Sequence, residues 1–100
     1  MKRVVAIVNR DKFAEIKEAL GKAGVEEMIV GLVKGCGRQD GGTDLYRGVE
    51  YAIEFVPRIK IEILLLDNAK AAQVVEVIRR AARMNTIGCG RIFVETVTTI

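Results

Sequence analysis

The chain has 100 residues, 50% of them hydrophobic but only 5% aromatic, so its apolar mass is aliphatic. Sixteen basic and 13 acidic side chains give a formal net charge of +3, interspersed rather than clustered, which argues against nucleic-acid binding. The absence of His excludes imidazole acid–base chemistry, and no apolar run approaches the roughly 20 residues of a membrane helix, so direct membrane insertion is not expected.

In chain order, Lys2 to Val8 reads KRVVAIV, a β-branched run that predicts a strand. Asn9 or Asp11 then serves as the cap of a helix over Lys12 to Ala23. In it Phe13, Ile16, Ala19, Leu20 and Ala23 recur at helical spacing before Gly24. Met28 to Val33 is a second strand. Pro57 to Leu66 is a third, with Ile59, Ile61, Ile63 and Leu65 on one face and Lys60, Glu62, Leu64 and Leu66 on the other. Asp67 or Asn68 caps a second helix whose stripe is Ala71, Val74, Val75, Ile78 and Ala82. Arg79, Arg80 and Arg83 near its end complement the helix dipole. Arg91 to Val97 closes the pattern as a fourth strand.

The order β-α-β-β-α-β predicts an α+β, ferredoxin-like domain over 1–100: a four-stranded antiparallel sheet with two helices on one face. The uncovered face should be polar in a monomer. Strand 1 is instead apolar at both alternations, Val4, Ala6 and Val8 as well as Val5 and Ile7, and strand 3 ends in LLL. Self-association is therefore expected. About twenty residues, roughly Gly37 to Val56, connect strands 2 and 3, a length that in a compact domain usually signals function. Half of the glycine lies in or beside this segment, with both tyrosines, Tyr46 and Tyr51.

Three motifs carry candidate chemistry. Gly35-Cys36-Gly37-Arg38-Gln39 brings glycine backbone N–H groups beside a cation, as phosphate binding requires; taken alone it is a strand ending in a flexible turn. Ile87-Gly88-Cys89-Gly90-Arg91 repeats the design and alone reads as a helix C-cap and turn. Together they point to a phosphate held between two glycine turns. Tyr46-Arg47-Gly48-Val49-Glu50-Tyr51 suits covalent modification or partner docking, or is simply solvent-exposed. Cys36 and Cys89, one in each glycine turn, suggest a redox pair or soft-metal site, or two small residues packed separately. No resident metal is expected. No nucleophile–base pair is visible, so the chain is not expected to be an enzyme.

The stretch VKGCGRQDGGTDLYRGVEYAIEFVPRIKIEI resembles the T-loop region of PII signal-transduction proteins, and IGCGRIFV resembles their B-loop and the following strand. The resemblance implies a cytoplasmic homotrimer that binds ATP or ADP between subunits. It also implies that a T-loop, about 37–56, engages a transporter, enzyme or regulator in nitrogen or carbon metabolism. Gly35, Gly37, Arg38, Gln39 and Glu62, with Gly88, Cys89, Gly90 and Arg91 of a B-loop at about 84–91, stand at nucleotide-binding positions. Gln39 would ligate Mg²⁺ and 2-oxoglutarate beside the nucleotide, and Arg58 would pair with the 2-oxoglutarate carboxylate. Tyr51 stands at the modified tyrosine. The sequence departs from the family pattern at Ile29, where a threonine is usual, at Cys89 in place of aspartate, and at Arg58 and Arg91 in place of lysines. No counterpart of the family's two C-terminal arginines follows strand 4, which implies weaker triphosphate binding. The alternative is a trimeric PII-like interaction protein answering to another small ligand, a metal or thiol redox state.

Overall fold

A computed structural model describes residues 1–38, 53–83 and 91–100. The elements are β1 (Lys2–Val8), a 3₁₀ turn (Arg10–Lys12), α1 (Phe13–Lys22), β2 (Ile29–Arg38), β3 (Ile53–Leu65), α2 (Asn68–Ala82) and β4 (Arg91–Thr96). The strands form one antiparallel sheet in the order β2-β3-β1-β4. This is the ferredoxin-like arrangement expected from the element order.

Alternation along the strands assigns the two sheet faces. Val4, Ala6 and Val8 of β1 are fully buried, as are Ile61 and nearly so Ile59 and Ile63 of β3, and they meet Ile16 and Leu20 of α1 and Ala71, Val74, Ile78 and Ala82 of α2. Helix α2 lies over β1 and packs on α1. This core has no buried polar or charged residue among those described. Burying each Val or Ile side chain contributes about 1.5–3 kcal/mol, so these rows dominate the stability of the fold.

The helix ends follow from single residues. Gly24 takes φ +93, a conformation in which any Cβ is strained. Its N–H donates to Gly21 O, while Val25 N–H donates to Leu20 O at 3.0 Å, the paired closure of a Schellman motif. Asp67 caps α2 by accepting from Lys70 N at 2.9 Å. At the other end Arg83 occupies the left-handed region, φ 58 and ψ 44.

Several boundaries differ from those expected. α1 starts at Phe13 behind the 3₁₀ turn, and neither Asn9 nor Asp11 caps it: Asn9 precedes the 3₁₀ turn without a side-chain cap bond, and Asp11 lies inside that turn. β2 begins at Ile29, one residue later than expected, and runs on to Arg38, while β3 begins at Ile53. The two pair through Cys36↔Phe55, Gly37↔Glu54 and Arg38↔Ile53. The connection is therefore 39–52 rather than 37–56. Backbone pairing does not require hydrophobic side chains, so a glycine-rich arm extends the ribbon where apolar patterning stops. β3 ends at Leu65, and β4 at Thr96.

Candidate ligand-binding face

The face of the sheet away from the helices carries Arg3, Val5 and Ile7 of β1, flanked by Arg58, Lys60, Glu62 and Leu64 of β3 and by Arg91, Phe93 and Glu95 of β4. Period-two alternation places them there: each is one residue out of phase with the buried row. The face is unevenly covered: Val5, Ile7, Arg58, Lys60 and Glu62 are of intermediate exposure. Phe93 is 49% and Leu64 51% exposed.

Its charges are ordered from one end to the other. Arg58 and Lys60 lie at the end leading to residues 39–52, and Arg91 faces Ile7, which faces Lys60. Neighbouring strands lie about 4.8 Å apart, so the Lys60 and Arg91 backbones stand roughly 10 Å apart across β1. Lys60 Nζ lies 3.2 Å from Glu62 Oε2. At the opposite end Arg3 donates from Nε to Glu95 Oε1 at 2.8 Å. That hydrogen bond and the carboxylate charge raise the Arg3 pKa and hold the guanidinium charged.

Beside the cations runs a glycine track. β2 positions 31, 35 and 37 are glycine, and register puts them on this face, with Gly31 opposite Lys60, Gly35 opposite Val56, and Val33 between them opposite Arg58. A Cβ built on Gly31 meets nothing within 4 Å, and one on Gly35 meets only Val56 O at 3.9 Å. The backbone is thus open to a ligand, with cations alongside. A second recess of about 570 Å³ lies at the β2 start, lined by Glu26, Glu27, Met28, Ile29, Glu62 and Leu64. Its three carboxylates disfavour phosphate, whereas the cations Arg58, Lys60 and Arg91 favour it.

Of the expected site residues, Gly35, Gly37 and Arg38 lie in β2, Arg58 and Glu62 in β3, and Arg91 opens β4. Arg58, Glu62 and Arg91 share the open face. Cys36 pairs with Phe55 in the β2–β3 arm. Gln39, Tyr46, Arg47, Tyr51, Gly88, Cys89 and Gly90 lie outside the described residues, and with them the Cys36–Cys89 pairing and most of the B-loop at 84–91. Lys60 was not singled out in the sequence. The alternation of PRIKIEI already sets it between Arg58 and Glu62, and only the ladder shows that it faces both Gly31 and Ile7. Among the described residues no group of three metal-ligating side chains is present, and no helix is long and apolar enough to cross a membrane.

A family profile described as nitrogen regulatory protein P-II matches residues 1–100. The chain belongs to the P-II family. Curated P-II relatives include the nitrogen regulatory protein P-II of Rhizobium meliloti (strain 1021), 48% identical over 98 residues, covering 97% of this chain and 86% of that protein. That of Mesorhizobium japonicum is 46% identical over 97 residues, with 97% and 86% covered. That of Cereibacter sphaeroides is 47% identical over 97 residues at the same coverage. P-II proteins are signalling proteins, and this one carries the family's ferredoxin-like sheet with Arg58, Glu62 and Arg91 on one face.

Proposed function

We propose that this P-II protein is a nucleotide sensor: it binds ATP or ADP between copies of itself and reports occupancy to partner proteins through residues 39–52. The observation that carries this reading is the juxtaposition of Arg58, Lys60 and Arg91 with the open glycine track of β2. Backbone N–H groups and fixed cations together form the chemistry that phosphates need. The expected assembly is a homotrimer closed on the apolar positions of the open face, Val5, Ile7, Leu64 and Phe93. A regulated transporter, enzyme or regulator of nitrogen metabolism is the expected partner, and the cytoplasm the expected compartment.

Within the site, Arg58 and Arg91 bind phosphate or a second carboxylate ligand, and Glu62 holds Lys60 in place by its 3.2 Å contact. Mg²⁺ and 2-oxoglutarate would join the nucleotide through Gln39 and Arg58. Ligand contact that differs between loop conformations shifts the population of 39–52 toward one of them, and partner affinity follows. Tyr51, Tyr46 and Arg47 are the proposed docking or modification residues in that segment.

A second reading is a P-II scaffold answering to a different ligand. Ile29, 66% exposed at the carboxylate-lined recess, offers no hydrogen bond to a base. Calorimetric titration with ATP, ADP and AMP, with and without Mg²⁺ and 2-oxoglutarate, separates the two. Micromolar ATP or ADP binding is expected, and Arg91→Ala should weaken it about ten- to hundredfold, the worth of one charge-assisted hydrogen bond. Undetectable binding of every nucleotide would give the scaffold reading first place.

A further inference from the structure

We propose that the groove between the first turn of α1 and the outer strand β2 docks an acidic segment of a partner protein, with one aliphatic or aromatic side chain seated against Leu32. The proposal rests on the reading of this chain as a protein that acts by docking, and not on nucleotide binding.

Leu32 is 80% exposed, the most exposed large hydrophobic side chain in any described strand. It pairs with Ile59, which is 7% exposed and belongs to the core row. Leu32 therefore lies on the helix side of the sheet, where β2 runs beyond the cover of the helices. Copies meeting on the opposite, open face leave this side uncovered. The groove there has a volume of about 630 Å³ and is lined by Arg10, Asp11, Phe13, Ala14, Leu32 and Ile59. It is a shallow, open depression large enough to seat one side chain.

Charge decides the occupant. Arg10 and Lys12 lie in the turn at the groove, and Lys34 follows Leu32 on the same side of β2. The last turn of α2 adds Arg79, Arg80 and Arg83 at this end of the sheet. Helix α2 starts beside the Lys2↔Leu65 end, and its 15 residues return about 22 Å. The carboxylates here are largely committed. Glu15 lies 3.9 Å from Lys12, and Glu76 is shared by Arg79 and Arg80. Among the described residues no carboxylate comes within ion-pair range of Arg10, Lys34 or Arg83. Arg10 on the lining, with Lys12 and Lys34 beside it, outnumbers Asp11, and an apolar floor next to such cations is complementary to an apolar anchor flanked by Asp or Glu. Asp11 is the one carboxylate among the described residues that line the groove, and it sets a direction for the test.

The full chain would be panned against an unbiased displayed peptide library, and the enriched peptides synthesised and titrated by fluorescence anisotropy at low and high salt. The expected peptides carry an aliphatic or aromatic residue within a few positions of Asp or Glu. Their affinity should fall at least tenfold in Leu32→Glu and in Arg10→Glu, rise in Asp11→Asn, and weaken with salt. Unchanged thermal midpoint and nucleotide titration in Leu32→Glu would show that fold and nucleotide site are intact, which separates this surface from the proposed sensor function. No enrichment, basic or neutral peptides, or acidic peptides that bind Leu32→Glu equally well would overturn the proposal. So would binding to phosphatidylserine vesicles that exceeds peptide binding and ignores Leu32→Glu.

Discussion

Asp67 and Arg83 hold the two ends of α2, and they do so with opposite economy. The Asp67 carboxylate accepts from Lys70 N, relieving an N-terminal donor that would otherwise lack a partner. Asp67→Ala should cost about 1 kcal/mol, or roughly 4–8 °C in thermal midpoint for a chain of this size. Arg83 sits at φ 58, where a Cβ is unfavourable, yet its charge complements the helix C-terminus. Relief of the strain outweighs the lost charge, so Arg83→Gly should gain about 0.5–1 kcal/mol in a denaturant titration. Loss of stability in that variant would mean that Arg83 makes contacts worth more than its strain. The Asp67 cap was legible in the sequence because an Asx residue stood directly before an apolar stripe. The Arg83 conformation was not, since no glycine marks it.

At the scale of elements, the helix-face rows were legible throughout. Ile59, Ile61 and Ile63 alternate without a break, and Ala71, Val74, Ile78 and Ala82 repeat at helical spacing. The extension of β2 and β3 was not. Residues 34–38 have no apolar alternation to read, and their backbone pairing with Ile53 to Pro57 appears only in the ladder. The 3₁₀ turn before α1 was equally hidden, because Asn9 and Asp11 both suit a cap and neither makes one. Within α2, Glu76 bridges Arg79 and Arg80 at 3.2 and 3.1 Å. Hydrogen bonds from both arginines lower its pKa. A depressed folded-state pKa means stabilisation that is present above the ordinary glutamate range and lost as pH falls through the folded value. Thermal melts at low salt should therefore show the native chain losing midpoint on acidification, with a flatter profile in Glu76→Gln. The effect is small, because the pair is exposed and screened. Parallel profiles would remove the clamp.

For the whole molecule, the two faces of the sheet divide the work. One is closed by helices. The other carries an apolar band, Val5, Ile7, Leu64 and Phe93, with the Lys60–Glu62 and Arg3–Glu95 pairs set in register beside it. The sequence announced this face through the double alternation of strand 1, and the phase of strand 3 set Lys60 and Glu62 together, whereas the place of Arg58 and Arg91 on this face comes from the ladder. The ladder adds what spacing along the chain cannot: Arg91 and Lys60 flank the same strand although 30 residues separate them. Phe93→Glu puts a charge into the band and should dissociate the expected trimer, as read by sedimentation velocity, while Arg91→Ala should leave it assembled. A Phe93→Glu chain that stays assembled would move the contact to another surface.

Native mass spectrometry of the chain with Mg²⁺-ATP reads assembly and occupancy together. A trimer carrying bound ATP is expected, and in Arg91→Ala a trimer that has lost it. A chain that remains monomeric and nucleotide-free, or an Arg91→Ala trimer as fully loaded as the native one, would contradict the proposed sensor function.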